Sequence, residues 1–141
     1  AVAVLAWLAG SVALTTRNVT YVVQNGSDFA GTQWRQSPLL DFVRKRAADR
    51  ALYSNWPAAI YFHTGRVARD LPMALDSVTL ATFARRLAQT HGLVVAFNAP
   101  SPDVAPPDSI ARRLGLRRAG RFDDGTAWQL REPLSPRGAR P

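Results

Sequence analysis

The 141-residue sequence predicts one small α/β domain with a mainly parallel sheet and an antiparallel hairpin at its C-terminal end. Short apolar segments alternate with helical patterns, which is typical of a parallel sheet. The segment at 93–97 (LVVAF) is apolar on both faces, as strands in the middle of such a sheet are. Asp123-Asp124-Gly125 separates two extended patterns and is a hairpin signal.

The first half of the domain is predicted to contain two helices and two short strands. Ser37 is the N-cap of the first helix and Pro38 is its first residue. Gly65 has the position of a left-handed residue that ends the second helix. The elements predicted after the first helix are a strand at 51–53, a helix at 58–63 and a strand at 67–71.

The second half contains the clearest helical pattern of the sequence. Apolar residues recur at positions i, i+3, i+4, i+7 and i+8 from Leu80, which predicts an amphipathic helix. Asp76 or Ser77 caps its start, and Gly92 ends it. A proline-rich loop then leads to a short helix that Gly115 ends. The last predicted elements are strands at 117–122 and 126–130.

These elements predict a small three-layer, Rossmann-like sheet that is mainly parallel and carries the antiparallel hairpin at one edge. No internal repeat and no second globular domain is indicated. The predicted organisation has four parts: the end of a transmembrane helix at 1–16, a juxtamembrane connector at 17–36, the soluble α/β domain at 37–132 and a disordered tail at 133–141.

The apolar segment at 1–16 (AVAVLAWLAGSVALTT) carries no charge, and Arg17 follows it. A helix that spans a bilayer needs about 20 apolar residues, so this run is slightly short. We interpret it as the end of a transmembrane helix whose first turn precedes residue 1. A signal-peptide remnant and a buried core helix are the two alternatives.

The formal charge of +8 comes almost wholly from arginine, because Lys45 is the only lysine. The arginines are scattered in pairs over several predicted elements instead of being gathered on one face. This distribution is typical of a solvated surface, with an anionic membrane surface as an alternative, and it argues against nucleic acid as a partner. The chain has no cysteine, which excludes disulfides and thiol chemistry.

The sequence contains no recognisable catalytic, metal or cofactor site. Glycine-rich phosphate loops and a Gly-x-Ser-x-Gly elbow are absent, and His63 and His91 lack metal-ligand spacing. Asp123 and Asp124 are interpreted as turn residues that make local hydrogen bonds. We therefore predict no catalytic residue, no metal and no cofactor in this chain.

Weak candidates for ligand binding follow the predicted parallel strands. Ser54 and Asn55 come directly after the first strand, and Asn98 follows the central strand. In an open α/β sheet, ligands bind outside the carboxyl ends of the strands, and we expect Arg66 to reach the same region. Hydroxyl, amide and guanidinium groups there suit a sugar or a phosphate. The alternative, which we prefer, is that Ser54 and Asn55 cap the next helix.

Three segments of the sequence carry a resemblance to a known family. They are Trp34-Arg35-x-Ser37-Pro38-Leu39, Tyr53-Ser54-Asn55-x-Pro57-x-x-Ile60-Tyr61-Phe62-x-Thr64-Gly65-Arg66 with Leu71-Pro72, and Asp124-Gly125-x-Ala127-Trp128. Over residues 34–130 the chain resembles the C-terminal soluble region of bacterial polytopic membrane proteins related to the dolichyl-phosphate-mannose–protein mannosyltransferases. These are glycosyltransferases of the GT-C type. Trp56 and His63 depart from the family pattern.

The resemblance implies that the parent protein is a membrane transferase that takes a sugar from a lipid-linked donor outside the cytoplasm. In that family the catalytic acid lies in an early loop between spans, which this chain does not include. The domain is then a non-catalytic accessory domain on the extracytoplasmic side of the cell membrane. Its expected partners are membrane lipid through residues 1–16, the transmembrane part of the same protein, and a lipid-linked sugar or glycan acceptor.

Two other hypotheses are compatible with the sequence. The first is a single-span, membrane-anchored binding or scaffolding module of unknown ligand. The second is a basic domain on the cytoplasmic side that binds nucleic acid or anionic lipid, because basic residues after a span favour that side.

Overall fold

The computed structural model describes Trp7, Ser11 and residues 28–47 and 49–131. The chain divides into two compact units, residues 1–36 and 37–141, and each is described by itself. The predicted span at 1–16 and the predicted tail at 133–141 lie outside the described residues, apart from Trp7 and Ser11. In the part that is described, no helix has the length and apolar character needed to cross a membrane.

The first unit contains two short helical turns within the predicted connector at 17–36. A 3-10 turn at Asp28–Ala30 is followed by the helix α1 (Thr32–Arg35). The rings of Phe29 and Trp34 meet edge to face with centroids 5.8 Å apart. Arg35 Nε donates a hydrogen bond of 2.7 Å to the carbonyl oxygen of Ala30, which ties the two turns together.

The second unit is a mixed α/β domain, which confirms the predicted fold class. Its helices are α2 (Pro38–Arg46), α3 (Pro57–Thr64), α4 (Ser77–Gln89) and α5 (Pro107–Arg113). Its strands are β1 (Leu52–Ser54), β2 (Ala68–Asp70), β3 (Leu93–Phe97), β4 (Arg117–Phe122) and β5 (Gly125–Gln129). Each predicted helix and strand of this unit is present, with bounds that differ by one or two residues.

The five strands form one sheet in the order β2-β1-β3-β5-β4. The strands β2, β1 and β3 are parallel, while β5 runs antiparallel to β3 and to β4. The predicted parallel sheet with a C-terminal hairpin is therefore confirmed. Because the chain leaves β1 in one direction and β3 in the other, the strand order reverses between these two neighbours.

Helices cover both faces of this sheet. Tyr53, Val94 and Trp128 belong to one buried cluster with apolar residues of α4 and α5. The other face lies against α2, which packs on α3. There the rings of Phe42 in α2 and Phe122 in β4 have centroids 5.2 Å apart. The strand β3 is buried along its whole length because both of its faces are covered.

The start of α4 is capped by Asp76, one of the two residues that the sequence offered. Its Oδ1 accepts a hydrogen bond of 2.9 Å from the Thr79 amide. Hydrogen bonds from the side chain and main chain of Thr79 hold the pKa of Asp76 below its ordinary value. A depressed folded-state pKa means that this cap stabilises the fold above the unfolded-state pKa. Its contribution is lost as the pH falls through the folded-state pKa.

The end of α4 differs from the prediction. The left-handed residue is His91, with φ of 47°, and not Gly92. Gly92 is required for space, because a Cβ there would lie 2.7 Å from Leu87 Cδ2 and 2.9 Å from Tyr53 Cε2. The sequence shows a glycine after a helix but not which of its two possible roles that glycine has. At the end of α3, by contrast, Gly65 has φ of 69° as predicted.

Candidate functional site

Ser54, a predicted ligand-binding residue, is buried at the carboxyl end of β1. Its Oγ accepts a hydrogen bond of 3.0 Å from the main-chain amide of Trp56. This local bond shapes the turn into α3 and occupies the hydroxyl oxygen. Trp56 is the N-cap residue of α3, and no side chain caps that helix, so Ser54 shapes the turn before the helix and does not cap it.

Asn55 bridges the point at which the strand order reverses. Its Nδ2 donates to the carbonyl oxygens of Phe97, at 2.9 Å, and Ala99, at 3.2 Å. Its Oδ1 accepts a hydrogen bond of 2.9 Å from the Phe97 amide. Trp56 adds a bond of 3.0 Å from its indole nitrogen to the Ala99 oxygen. The crevice in which a doubly wound sheet would take a ligand is thus filled by the protein's own side chains.

Arg66 and Asn98, the other predicted binding residues, lie at opposite edges of the sheet. Arg66 precedes β2, and its Nη2 donates a hydrogen bond of 2.9 Å to the carbonyl oxygen of Arg50. This contact lies at the amino end of the parallel strands. Arg66 was expected to lie near Ser54 and Asn55, and it does not. Asn98 is exposed at the carboxyl edge, where its Nδ2 donates to the Asp123 oxygen at 2.9 Å.

A cleft of about 620 Å³ opens beside Asn98. It lies between the end of β3, the start of α5 and the hairpin of β4 and β5. The residues that line it are mostly polar or charged. The side chains on which the argument depends are Asn98, Asp108, Arg118, Arg121, Thr126 and Trp128.

A β-bulge sets which arginines reach this cleft. Arg118 lies opposite Trp128 and Arg121 lies opposite Thr126, with a register shift between Arg118 and Gly120. In a regular strand, residues three apart point to opposite faces. The extra residue in the bulge places both arginines on the same face as Trp128. Bulges commonly re-aim side chains in this way next to functional sites.

The two arginines offer their guanidinium groups to a ligand. Among the described residues, neither the Arg118 nor the Arg121 guanidinium makes a hydrogen bond or an ion pair. A neighbouring cleft of about 430 Å³ continues the surface along α5 and adds Arg112 and Arg131. Two exposed carboxylates, Asp108 and Asp123, also line the cleft beside Asn98. The surface therefore combines cationic donors with anionic acceptors.

A larger cavity of about 840 Å³ at the amino edge is a weaker candidate. Leu87 and Leu130 contribute apolar lining, and the half-buried Arg50 is one of its cations. The guanidinium of Arg50 already donates to the carbonyl oxygens of His91 and Gly92 and to the side chain of Gln129. The nitrogen atoms of this guanidinium are therefore already used in hydrogen bonds within the protein. Few polar groups of the cavity are left to orient a ligand.

The described residues contain no group of three or more histidine, cysteine, aspartate or glutamate side chains that is suited to a metal ion. His63 lies at the end of α3, and His91 lies after α4 on the other face of the sheet. The cleft offers arginine, amide, hydroxyl and carboxylate side chains.

Asp124 has a structural role that differs from the local turn role predicted for it. Its carboxylate accepts a hydrogen bond from Ser37 Oγ and another, 3.3 Å long, from the Leu39 amide. Ser37 Oγ in turn accepts from the Leu40 amide at 3.0 Å. The hairpin turn is thereby joined to the start of α2, 87 residues earlier in the chain.

We expect Ser37→Ala to lower the free energy of unfolding by about 1–2 kcal/mol, because it removes a buried N-cap. The bond to Asp124 is lost with it. Guanidinium chloride denaturation of the full chain measures the change. Ser77→Ala is the matched control, since Ser77 is the exposed first residue of α4 and Asp76 is the cap. Equal unfolding midpoints for the two variants would contradict the assigned role of Ser37.

Arg118, Arg121, Thr126 and Trp128 were not predicted as site residues. The arginine pairs, Arg117-Arg118 among them, were interpreted as solvated, and a sequence pattern does not reveal the bulge that aligns Arg118 with Arg121. Trp128 was present only in the family resemblance. Comparisons with protein-family models, with curated proteins and with solved structures find no match for this chain.

Proposed function

We propose that this domain is a non-catalytic accessory domain of a membrane glycosyltransferase that uses a lipid-linked sugar donor. In this proposal the cleft beside Asn98, at the carboxyl ends of the parallel strands, binds an acidic sugar of the acceptor. The observation that carries the binding function is the alignment of Arg118 and Arg121 beside Trp128 by the β-bulge. The family resemblance over residues 34–130 supports the assignment to a glycosyltransferase.

The chemistry of the cleft suits a sugar that carries a carboxylate or phosphate. Guanidinium groups bind such planar or tetrahedral anions with two parallel hydrogen bonds. Thr126 and Asn98 supply neutral groups for sugar hydroxyls, and Asp108 accepts hydrogen bonds from them. Trp128, which is 8% exposed, adds apolar lining to the cleft. This combination selects an anionic ligand and orients it in the cleft.

The proposed division of labour places the chemistry in the transmembrane part of the parent protein. In the resembled family the catalytic acid belongs to a loop between spans. A domain on the extracytoplasmic side then contributes affinity for the acceptor near the lipid-linked donor. The single-span binding module has the same cleft and the same ligand chemistry, so the two proposals differ in what precedes residue 1.

The coding sequence upstream of residue 1 tests the assignment to a glycosyltransferase. Several encoded spans and an acidic residue in the first outer loop would support it. A start codon directly before Ala1 would favour the single-span module.

We expect the Arg118→Ala, Arg121→Ala double variant to bind mannose 6-phosphate at least about tenfold more weakly than the parent chain, since two charge-assisted contacts are removed. Calorimetric titration with mannose 6-phosphate, inorganic phosphate and mannose measures the affinities. We expect the order of affinity to follow the number of groups recognised, with the phosphosugar first.

Arg117→Ala is the matched control for this prediction. Arg117 lies on the same strand opposite Gln129, on the face that points away from the cleft. It has the same charge and exposure, so its replacement should leave the affinity unchanged. Equal losses in the control and the double variant, or no binding of any of the three probes, would overturn the proposed site.

A further inference from the structure

The outer face of α3 exposes two aromatic side chains. Tyr61 is 61% exposed and Phe62 is 62% exposed, while Ala59 and Ile60 on the inner face are fully buried. Ala58 is exposed on the same outer face. The helix sequence PAAIYFHT contains no arginine, lysine, aspartate or glutamate. A helix face that is exposed, aromatic and without charge is unusual on a monomeric domain.

Basic residues border this face on one side. The last turn of α2 contains Arg44, Lys45 and Arg46, all exposed. Arg44 Nε donates to the carbonyl oxygen of His63 at 3.4 Å, so the end of α2 lies beside the last turn of α3. The ring of His63 meets that of Phe62 with centroids 5.2 Å apart. Arg44 and the two rings of Phe62 and His63 therefore lie side by side on one surface.

We propose that this surface, made of α3's outer face and the last turn of α2, docks onto an anionic lipid bilayer. Tyr61 and Phe62 enter the headgroup region, where aromatic side chains with an apolar body are favoured. Arg44, beside α3, and the exposed Lys45 contact lipid phosphates and are attracted by the negative surface potential. This is the arrangement of an interfacial helix with an apolar face and a basic border.

The charges favour a lipid surface over a second copy of the chain. A symmetric dimer through α3 would pair this side of the domain with an identical side of a second copy. Residues 37–67 contain five arginine or lysine residues and two aspartates, so this side of the domain is cationic. Like charges in a dimer interface repel, whereas an anionic bilayer compensates them.

Docking through α3 also orients the cleft. The helices α2 and α3 lie on one face of the sheet, and the cleft with Arg118, Arg121 and Trp128 lies on the other. A docked domain therefore holds its cleft away from the bilayer, where a water-soluble acceptor has access. The docking inference stands on α2 and α3 alone and does not require the proposed glycosyltransferase function.

The absence of cysteine makes a single-site labelling experiment possible. Ala58→Cys carries an environment-sensitive fluorophore on the docking face, and Ala81→Cys carries it on the exposed side of α4, across the sheet. The full chain is reconstituted in vesicles of phosphatidylcholine with or without phosphatidylglycerol, and spin-labelled lipids serve as quenchers. We expect quenching at position 58 in the anionic vesicles and much less at position 81.

Further substitutions identify the groups responsible. Tyr61→Ser with Phe62→Ser should reduce quenching at position 58 to the level at position 81. Met73→Ser with Val78→Ser should not, although these residues are 78% and 75% exposed and equally apolar. Equal quenching at both labels, or no effect of the aromatic pair, would overturn the proposal. Quenching at position 58 that changes with the protein-to-lipid ratio, and not with the phosphatidylglycerol content, would also overturn the proposal. It would favour a second copy of the chain as the partner of this surface.

Discussion

Replacing Asn55 with alanine is expected to lower the free energy of unfolding by about 4 kcal/mol. The side chain makes three hydrogen bonds to the buried main chain around Phe97 and Ala99. Alanine removes all three hydrogen bonds, while the Ala99 oxygen keeps the bond from the Trp56 indole nitrogen. Each unsatisfied buried group costs about 1–3 kcal/mol. Because Asn55 is only 5% exposed, water does not readily replace it.

Guanidinium chloride denaturation of the full chain measures this loss, with Asn98→Ala as the matched control. Asn98 is the same residue type at the end of the neighbouring strand, but it is exposed and donates one side-chain bond to Asp123. We expect the control to lose about 1 kcal/mol or less. Asn55→Asp should be nearly as damaging as Asn55→Ala, since a carboxylate has no donor for the two carbonyl oxygens. A loss at Asn55 no larger than that at Asn98 would refute its bridging role.

The bridging role of Asn55 shows why the predicted binding residues do not form one site. Parallel strands do carry polar residues at their carboxyl ends, and Asn98 does line a cleft there. The crevice itself is closed, however, because Asn55 and Trp56 bond across it to the main chain after β3. A sequence shows which residue types reach an edge, but not whether the protein itself already satisfies them.

Much of the fold was predictable because its signals are local. The helix at Ser77–Gln89 follows from the spacing of its apolar residues, and Ser37-Pro38 marks a helix start by side-chain and backbone chemistry alone. The strand at Leu93–Phe97 follows from unbroken apolar character. Each of these features depends on neighbours within a few residues, which the sequence displays directly.

The parts that were not predicted depend on contacts between distant segments. Asp124 accepts a hydrogen bond from Ser37, which lies 87 residues earlier in the chain. The sequence alone predicts only local hydrogen bonds in the turn for Asp124. The bulge between Arg118 and Gly120 arises from the pairing of β4 with β5. It reverses the face that simple alternation would assign to one of the two arginines. The candidate site was missed for this reason.

The arginines of β4 also suit its place as an edge strand of the sheet. Charged side chains on an edge hinder pairing with other chains. That purpose would be served equally by Arg117, Arg118 and Arg121, whatever face they occupy. Ligand binding, by contrast, depends only on the two that line the cleft. The Arg117→Ala control therefore separates the two explanations.

Gly125→Ala is expected to lower the free energy of unfolding by about 3 kcal/mol, because the added methyl group has no space. A Cβ at this position would lie 2.3 Å from the carbonyl oxygen of Ala96 and 2.7 Å from Leu39 Cδ2. The first of these atoms belongs to the main chain of β3 and cannot move without separating β3 from β5. Gly125 has an ordinary backbone conformation, so it is needed for close approach and not for a left-handed φ.

Gly65→Ala is the informative comparison, because the two glycines are required for opposite reasons. Gly65 has φ of 69° and nothing within 4 Å of an added Cβ. We expect a loss of about 1 kcal/mol there, the cost of a left-handed alanine. Denaturation gives both values, and hydrogen exchange in β3 and β5 should increase only in Gly125→Ala. If Gly65→Ala proved the more damaging change, contact between β3, β5 and α2 would not be what fixes the hairpin. Displacement of Gly125 should also move Asp124 from Ser37, so the two structural links should weaken together.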